Sequence, residues 1–428
     1  MIDERASQGE TAAEGERRAV GELFQPFSPA YVEDPVRAFY LPAHARAPVA
    51  YSEAFSAWLI TGHAEVTQVL RDPVVFSSAR NLDLAVPPPP EVMEEVLRGI
   101  FPLPPALFNN DPPGHTRARA LFSRAFTPAR VAALEPTLRA AAADLTRALA
   151  GRGGPAELMQ GMAYPLPMRI SAALIGVPFE DAPRLKASQD DWFKLMDPGV
   201  SVEQKIAAAR GYVVYQRYLV DLIERRRAAP GDDLVSALVR ARHEDEQPLS
   251  VEEMVSHLVI LFFASYETVA SLTGSTLLRL LEDPALWAAI GEDPALLAAA
   301  IEETLRLDAP VQMEPRCTTA PAALGGAQIP ADAKLFVFFG AANHDAKVYP
   351  DPLGFDLARP SPHRHLGFGV GVHTCIGASL ARAEVKIAVQ SLRAAFPRMR
   401  LAEGARRSYL PSLLFRTPAA VPVILDGA

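Results

Sequence analysis

Residues 365–384 read HLGFGVGVHTCIGASLARAE and carry the sharpest local signal in the chain. Glycines at 367, 369 and 371 let the backbone turn tightly and approach a flat ligand, because they have no Cβ to block it. The loop ends at Cys375, and the apolar residues after it recur at helical spacing, so the cysteine precedes a predicted helix N-terminus. Backbone N–H groups and the helix dipole there stabilise an anion. The pattern predicts a thiolate ligand at Cys375 with room beside it at Gly377, whereas a lone cysteine without the glycines would indicate a buried structural residue.

A second signal lies upstream, in the segment AAAIEETLRL, residues 298–307. Glu303 and Arg306 are three residues apart and share one face of the predicted helix, where they can pair or grip a third group together. Taken alone, such a pair is more typical of solvated surface charges.

The third signal is the apolar segment SHLVILFFASYETVASLTG, residues 256–274. Leu261, Ala264 and Thr268 fall on one helical face, and Glu267 is rotated by about 100° from Thr268. In mid-helix, the Thr268 hydroxyl can bond back to the Ala264 carbonyl and bend the helix, which opens a groove for a diatomic ligand and water. Without the other motifs, this pattern would indicate a buried core helix.

The pattern Phe368-Gly369-x-Gly371-x-His373-x-Cys375-x-Gly377 resembles the haem-binding signature of the cytochrome P450 superfamily. The resemblance implies haem b, iron protoporphyrin IX, as the cofactor, with Cys375 as the axial thiolate ligand of its iron. It also implies that Phe368, Gly369 and Gly377 belong to the cofactor-binding loop. The sequence contains no CxxCH motif, which argues against covalent attachment of the haem.

The upstream acid–base pair looks like the ExxR element of the same family. The resemblance implies that Glu303, Arg306 and Arg359 form a buried structural network behind the haem. Their implied role is folding and haem retention, so removing one partner is expected to leave another buried charge unpaired.

The apolar helix resembles the family's distal, oxygen-activating helix. By that resemblance, Thr268 holds the oxygen ligand and its water, Glu267 relays protons from solvent, and Ala264 leaves space. Ser265 stands where the family usually has glycine, so the sequence does not determine how widely the groove opens.

The two propionates of a haem need cationic or donor partners. His115 and Arg119 are four residues apart and therefore share one helical face. By resemblance, four side chains contact the propionates: His115, Arg119, Arg316 and His373. The alternative for each is a surface cation.

Residues 115–130 contain a histidine, four arginines and no Asp or Glu. If this helix lies on the cysteine side of the haem, as the resemblance implies, Arg117 and Arg124 are expected to dock an acidic electron donor. A solvated basic face is the alternative.

The chain has 428 residues, with 42 Lys and Arg against 50 Asp and Glu, and its formal net charge of −8 argues against nucleic-acid binding. Its two cysteines cannot form a disulfide framework and suit a reducing cytoplasm. The longest strongly apolar stretch, residues 258–263, is far shorter than the ~20 residues of a membrane span. We therefore expect a cytoplasmic protein without a membrane span. We also expect it to be a monomer, although the sequence does not determine the oligomeric state.

Helical periodicity dominates after residue 127, while AFSAWLIT, DPVVFSS and LFVFFGAA predict strands. We expect a mainly α fold with a minor β region, and the resemblance implies the cytochrome P450 fold. Residues 1–22 are expected to form a disordered tail, and residues 23–428 a single catalytic domain. The Pro-rich segment 81–108 is expected to be an ordered loop over a cavity, with ordinary surface packing as the alternative.

The resemblance implies a soluble haem-thiolate monooxygenase that inserts one atom of O2 into a hydrophobic small molecule, by hydroxylation or epoxidation. Electrons are expected from a ferredoxin or flavodoxin partner with its reductase, because no GxGxxG motif opens a helix after a strand. The substrate is expected to be a fatty acid, terpenoid, steroid or polyketide in an apolar pocket. Besides the 81–108 loop, the candidate pocket residues are Phe262, Phe263, Val311, Gln312, Met313, Leu413 and Leu414.

Other functions of the same fold stay open. A peroxygenase would use H2O2 directly and normally lacks the distal acid–alcohol pair. An isomerase or dehydratase would need no electrons, and a haem sensor would show no turnover.

Overall fold

The computed structural model describes residues 11–82, 88–124, 126–151, 154–196, 199–241 and 248–425. The fold is mainly α with small sheets, as predicted. The helices, in chain order, are α1 (Ala12–Glu22), α2 (Pro29–Glu33), α3 (Leu41–Arg46), α4 (His63–Arg71), α5 (Pro90–Val96), α6 (Gly114–Ser123), α7 (Pro128–Ala150), α8 (Pro165–Ile175), α9 (Ala182–Met196), α10 (Val202–Ala228), α11 (Leu234–Arg240), α12 (Val251–Leu281), α13 (Pro284–Ala289), α14 (Pro294–Leu307), α15 (Phe339–Ala342) and α16 (Ala378–Ala395). The strands are β1 (Val49–Ser52), β2 (Ala57–Ile60), β3 (Phe76–Ser77), β4 (Gly154–Glu157), β5 (Met313–Thr318), β6 (Ala322–Leu324), β7 (Ala327–Ile329), β8 (Lys334–Phe338), β9 (Arg400–Leu401) and β10 (Pro422–Leu425).

The N-terminal segment departs from the prediction of a disordered tail over residues 1–22. That prediction is wrong for residues 12–22, which form α1, while residues 1–10 lie outside the described residues. A capping box starts the helix: the Thr11 hydroxyl accepts the Glu14 N–H at 3.3 Å, and the Glu14 carboxylate accepts the Thr11 N–H at 2.9 Å. Arg17 then ties the helix to β1 by donating to the Val49 carbonyl at 2.8 Å.

The Pro-rich segment 81–108 is ordered over its described part, but it is not all loop. It contains α5, and residues 83–87 lie outside the described residues. The buried Gln216 carboxamide of α10 holds the rest, because it accepts the Ile100 N–H at 2.9 Å and donates to the Ile100 carbonyl at 3.1 Å.

The described chain divides into two compact units. Unit 1 takes in the chain up to Ser78, Glu302–Thr374 and Ser408–Arg416, and unit 2 takes in the stretch from Ala79 to Ile301, Cys375–Arg407 and the chain from Thr417 onward. The expectation of one domain over residues 23–428 stays a prediction.

Unit 1 is built around a five-stranded sheet in the order β1-β2-β8-β5-β3. The β2–β8 pair is parallel, and the other neighbours are antiparallel. An aromatic cluster fills one face, with the Phe24 ring 5.3 Å from Phe39 and 5.1 Å from Phe338. These buried rings supply much of the apolar surface that stabilises the unit.

Unit 2 is helical apart from the small sheet β4-β10-β9. Its central element is α12, which begins with a capping box between Ser250 and Glu253 and packs against α8 and α16. By length and apolarity α12 would be able to cross a membrane, but most of it is buried inside the protein, as in the core helix of a globular fold.

Candidate active site

The glycine-rich loop leaves the Cys375 thiol exposed just before α16, which begins at Ala378. Gly369 and Gly371 adopt positive φ angles of 65° and 81°, which side chains other than glycine rarely tolerate. A Cβ at Gly371 would lie only 2.3 Å from the Leu70 carbonyl oxygen. A Cβ at Gly377 would lie 4.0 Å from the Cys375 sulfur, so this glycine leaves open space beside the thiol.

Helix α6 brings two of the predicted propionate ligands together near that thiol. Burial lowers the pKa of the Arg119 guanidinium, and the negative charge that the nearby Cys375 carries when ionised acts in the opposite direction. Burial also lowers the pKa of His115, which is 2% exposed, and the charge of Arg119 adds to this effect. Unit 2 therefore contains a thiol, a cation and a neutral imidazole as neighbours.

The other predicted cofactor contacts lie in unit 1. Arg316, on β5, is buried and donates to the Pro315 carbonyl at 2.6 Å and to Glu314 at 3.2 Å. The His373 Nε2 lies 3.1 Å from the Ser78 hydroxyl, and the Phe368 ring lies 6.1 Å from that of His365. The roles of Arg316, His373 and Phe368 at a haem stay predictions.

The three residues of the predicted structural network meet in unit 1. Arg306 donates to both carboxylate oxygens of Glu303, at 2.9 and 2.7 Å, and Arg359 donates to Glu303 Oε1 at 3.0 Å. The Arg306 guanidinium also donates to three carbonyl oxygens, those of Asn343, Pro352 and Gly354. Because each side chain is almost completely buried, the two guanidinium groups stabilise the carboxylate where water cannot.

Sequence reasoning missed the neighbouring residue, Glu302. Its carboxylate contacts the His363 Nδ1 at 2.7 Å and the His365 Nε2 at 3.0 Å. The Gly367 N–H donates to the His365 Nδ1 at 3.1 Å, so His365 links α14 to the glycine-rich loop. Two histidines next to that loop were the available signal, but no spacing rule connects them to Glu302.

In unit 2, α12 carries the predicted distal groups. The Thr268 hydroxyl donates to the Ala264 carbonyl at 2.8 Å, as expected from the sequence. Ala264 is exposed although most of α12 is buried. The helix therefore has an accessible patch at the position where a bound diatomic ligand was predicted.

Glu267 faces a different set of groups. Its Oε1 accepts the Tyr164 hydroxyl at 3.3 Å and lies 3.4 Å from the Thr417 hydroxyl oxygen. Burial raises the pKa of Glu267 above its ordinary value, although the hydrogen bond from Tyr164 acts in the opposite direction. Neither Tyr164 nor Thr417 carried any signal in the sequence.

Ser265, which stands where glycine was expected, is anchored between helices. Its hydroxyl lies 2.7 Å from that of Ser171 on α8 and donates to the Phe262 carbonyl at 2.9 Å. The side chain is therefore used to join α12 to α8.

The predicted pocket residues differ in accessibility. Phe262 in unit 2 and Met313 in unit 1 have no accessible surface, so neither lines a cavity in this structure. The Gln312 carboxamide makes hydrogen bonds within the protein, because it accepts the Tyr40 hydroxyl at 2.6 Å and donates to the Ala309 carbonyl at 2.5 Å. The partly buried residues are Phe263, Val311, Leu413 and Leu414.

The two predicted docking arginines of the basic segment around α6 also differ in accessibility. Arg117 is not an outward docking residue, because it donates to Glu253 at 2.8 Å and to the Pro248 carbonyl at 3.2 Å. This contact ties α6 to the start of α12. Arg124, at the end of α6, is exposed.

Comparison with known proteins identifies the same family along most of the chain. A family model described as Cytochrome P450 matches residues 97–397. Cytochrome P450 107B1 from Saccharopolyspora erythraea is 39% identical over 354 residues, covering 81% of this chain and 83% of that protein. The 6-deoxyerythronolide B hydroxylase of the same organism is 35% identical over 379 residues, covering 87% of this chain and 91% of that protein.

The fold has a close counterpart among solved structures. The cytochrome P450 CREJ in complex with (4-ethylphenyl) dihydrogen phosphate matches with a TM-score of 0.86 and 28% sequence identity. The match covers 94% of this chain and 99% of that chain. The predicted fold class is therefore confirmed.

Proposed function

The chain belongs to the cytochrome P450 family and is a haem-thiolate monooxygenase with haem b as its cofactor, and we propose that it oxidises a hydrophobic small molecule by hydroxylation or epoxidation. When bound, the haem supplies the activation of O2, in which one oxygen atom enters the substrate and the other is reduced to water. The protein supplies the thiolate ligand, the binding site and the protons.

Residues of unit 2 fit this cofactor. We assign Cys375 as the iron ligand, because its thiol is exposed, precedes a helix and has open space at Gly377. We assign Arg119 and His115 to the propionates, because the Arg119 guanidinium near the thiol and the neighbouring His115 imidazole match the need of two carboxylates for donors.

The distal roles are assigned to one helix. The observation that carries the proposal is the exposed patch on α12, where Ala264 leaves space and the Thr268 hydroxyl donates to the Ala264 carbonyl. In that position the Thr268 oxygen can accept a hydrogen bond from a bound ligand or water, because its own proton is donated to the Ala264 carbonyl. Glu267, the adjacent acid, is partly buried and suits the storage of a proton for transfer.

The substrate class is argued from chemistry and from one relative. Phe263, beside the exposed Ala264, offers apolar surface in unit 2, and Leu413, Leu414 and Val311 do so in unit 1. Fatty acids, terpenoids, steroids and polyketides all present the apolar surface that such side chains bind. The relative named for 6-deoxyerythronolide B makes that compound the first ligand to screen.

The test combines two spectra with turnover. Reduced, haem-loaded protein under carbon monoxide should show the absorption of thiolate ligation, and Cys375→Ala should abolish it. Substrates should shift the spin state of the iron and then couple O2 consumption to product when electrons are supplied. Histidine-type ligation, or product formed with H2O2 but none with O2 and electron donors, would contradict the proposal.

We further propose that a ferredoxin or flavodoxin delivers the electrons and that the protein works as a cytoplasmic monomer. The exposed Arg124 at the end of α6 supports docking of an acidic donor, because opposite charges steer association. Sedimentation of the haem-loaded protein as a single species of 46.2 kDa plus haem would support the monomer, and a dimer would contradict it.

A further inference from the structure

Four side chains in unit 2 form one chain of hydrogen-bond contacts around Glu267. The Tyr164 hydroxyl donates to Glu267 Oε1 at 3.3 Å, and the Thr417 oxygen lies 3.4 Å from the same atom. The Thr417 oxygen also lies 2.8 Å from that of Ser271. The Ser271 hydroxyl completes the chain by donating to the Glu267 backbone carbonyl at 2.9 Å.

The protons of this chain can be counted, because each hydroxyl has one. A carbonyl oxygen only accepts, so the Ser271 hydroxyl is the donor when it bonds to the Glu267 carbonyl. Either hydroxyl can be the donor in the short contact between Ser271 and Thr417, and with the Ser271 proton on that carbonyl the donor is Thr417. In this arrangement no hydroxyl proton is left for the contact between Thr417 and Glu267 Oε1, and a hydrogen bond there requires a proton on Glu267. If Ser271 donates to Thr417 instead, the Thr417 hydroxyl donates to Glu267 Oε1.

The lengths of the two contacts of Glu267 Oε1 also favour a protonated Glu267. A hydroxyl oxygen that donates to an ionised carboxylate lies about 2.5–2.7 Å from the carboxylate oxygen. Both contacts of Glu267 Oε1 are longer, at 3.3 and 3.4 Å. These lengths suit a neutral acid better than a carboxylate.

We propose that Glu267 is held in the resting protein as a neutral carboxylic acid, with its proton on Oε1 directed to Thr417 and the Tyr164 hydroxyl donating to the same oxygen. Thr417 and Tyr164 are then positioning residues. They fix the rotamer of Glu267 and the atom that carries the proton.

The surrounding charges agree with a protonated Glu267. Burial raises its pKa, the hydrogen-bond contacts with Tyr164 and Thr417 and the positive charge of Lys186 on α9 act against this, and the negative charge of Asp190 on α9 acts with it. Lys186 is itself paired with Asp190 at 2.7 Å, which reduces its influence. The phenol of Tyr164 stays neutral, because burial raises its pKa far above the ordinary value.

The inference rests on the proposed function for its consequence, because Glu267 then stores a proton one residue away from Thr268. Its test does not depend on turnover. A failure of the proposed function would appear as lost oxidation or altered haem ligation, whereas a failure of this inference would appear in the resting protein alone.

The opposite arrangement of these hydrogen bonds predicts a different result and can therefore be excluded by experiment. In it, Ser271 donates to Thr417 and Thr417 donates to an ionised Glu267. Removing the Thr417 hydroxyl then takes a donor away from the carboxylate and raises the pKa of Glu267. In our proposal the same change takes an acceptor away from the acid and lowers that pKa.

The experiment is infrared spectroscopy of the resting, haem-loaded protein against pH, with Glu267→Gln subtracted from each spectrum. A carboxylic C=O band that shifts in D2O should be present at neutral pH, and its loss on raising the pH gives the midpoint of Glu267. We expect Thr417→Val to move this midpoint to lower pH. Absence of the band at neutral pH, or a midpoint that rises or stays fixed in Thr417→Val, would overturn the proposal.

Two further variants keep the test decisive if Thr417→Val does not fold. Ser271→Ala frees the Thr417 proton to turn toward Glu267, so the midpoint should fall; an unchanged or raised midpoint would support the opposite arrangement and overturn ours. Thr273→Val is the matched control, because the Thr273 hydroxyl donates to the Val269 carbonyl on the same helix at 2.8 Å. We expect it to leave the midpoint unchanged, and a shift equal to that of Thr417→Val or Ser271→Ala would overturn the assignment to Thr417.

Discussion

Arg306 holds both carboxylate oxygens of Glu303 from one turn further along α14, and the two side chains are only 1% and 3% exposed. A bidentate pair in this environment is stronger than a surface ion pair, because no solvent competes for either charge. Removing either partner is therefore destabilising, because the other charge stays buried without its partner.

Replacing Arg306 by alanine should therefore lower the free energy of unfolding by about 3–5 kcal/mol. The matched control is Arg139→Ala, which breaks a helical ion pair with Glu135 of similar length, 2.6 Å, whose side chains are 54% and 49% exposed. That change should cost less than about 1 kcal/mol. Denaturant unfolding of both variants measures the difference, and equal costs would show that burial of the Glu303 pair adds nothing.

Gly371 should tolerate no side chain, because it combines a positive φ with a close backbone neighbour. We expect Gly371→Ala to cost more than about 2 kcal/mol and to weaken haem retention, since the added Cβ would meet the Leu70 carbonyl. Gly404→Ala is the control: its φ is 74°, with nothing within 4 Å of the new Cβ, and it should cost about 1 kcal/mol from backbone strain alone. Thermal unfolding and haem content of both proteins measure the contrast, which a similar loss in the two variants would contradict.

His257 should make the protein less stable in mild acid. Burial lowers the pKa of this imidazole in the folded protein, while the unfolded chain takes up a proton as the pH falls below the ordinary value of 6.5. The unfolded state then binds more protons, so the free energy of unfolding decreases between about pH 7.5 and about pH 5.5. His257→Gln should show a shallower decrease over this range in denaturant titrations, and parallel curves for the two proteins would rule out the contribution of His257.

Two arginines of the basic segment should respond differently to charge reversal. Arg124→Glu should slow reduction by an acidic donor several-fold at low salt, and the difference should shrink as ionic strength rises. Arg117→Glu should instead lower stability by about 1 kcal/mol or more, because it places two carboxylates at the contact with Glu253. Stopped-flow reduction and denaturant unfolding separate the effects; reduction by Arg124→Glu that matches the unmodified protein at every salt concentration would remove Arg124 from the docking surface.

The contacts that sequence reasoning anticipated are those fixed by helix geometry. Glu303 and Arg306 are three residues apart, and Thr268 and Ala264 are four apart, so a helix alone brings each pair together. The capping box of α1 had the same local character, with Thr11 and Glu14 at the required spacing, but the charged composition around it favoured a tail.

The contacts that escaped sequence reasoning depend on tertiary packing. Tyr164 and Thr417 are 103 and 150 residues from Glu267 in the chain, and no periodicity relates them. The same limit applies to the pocket. The apolar character of Phe262 and Met313 is visible in the sequence, but whether such a side chain faces a cavity or the core is decided by its neighbours in space.

The parallel pairing of β2 with β8 has a consequence for synthesis of the chain. Ala57 is in register with Lys334, so at ~5–20 residues per second a ribosome takes roughly 15–55 s to make the partner that the β1–β2 hairpin needs. During that time the nascent hairpin has an open edge and an apolar face, which invite association with other chains. Slower translation of the chain therefore lengthens the time during which this edge is exposed.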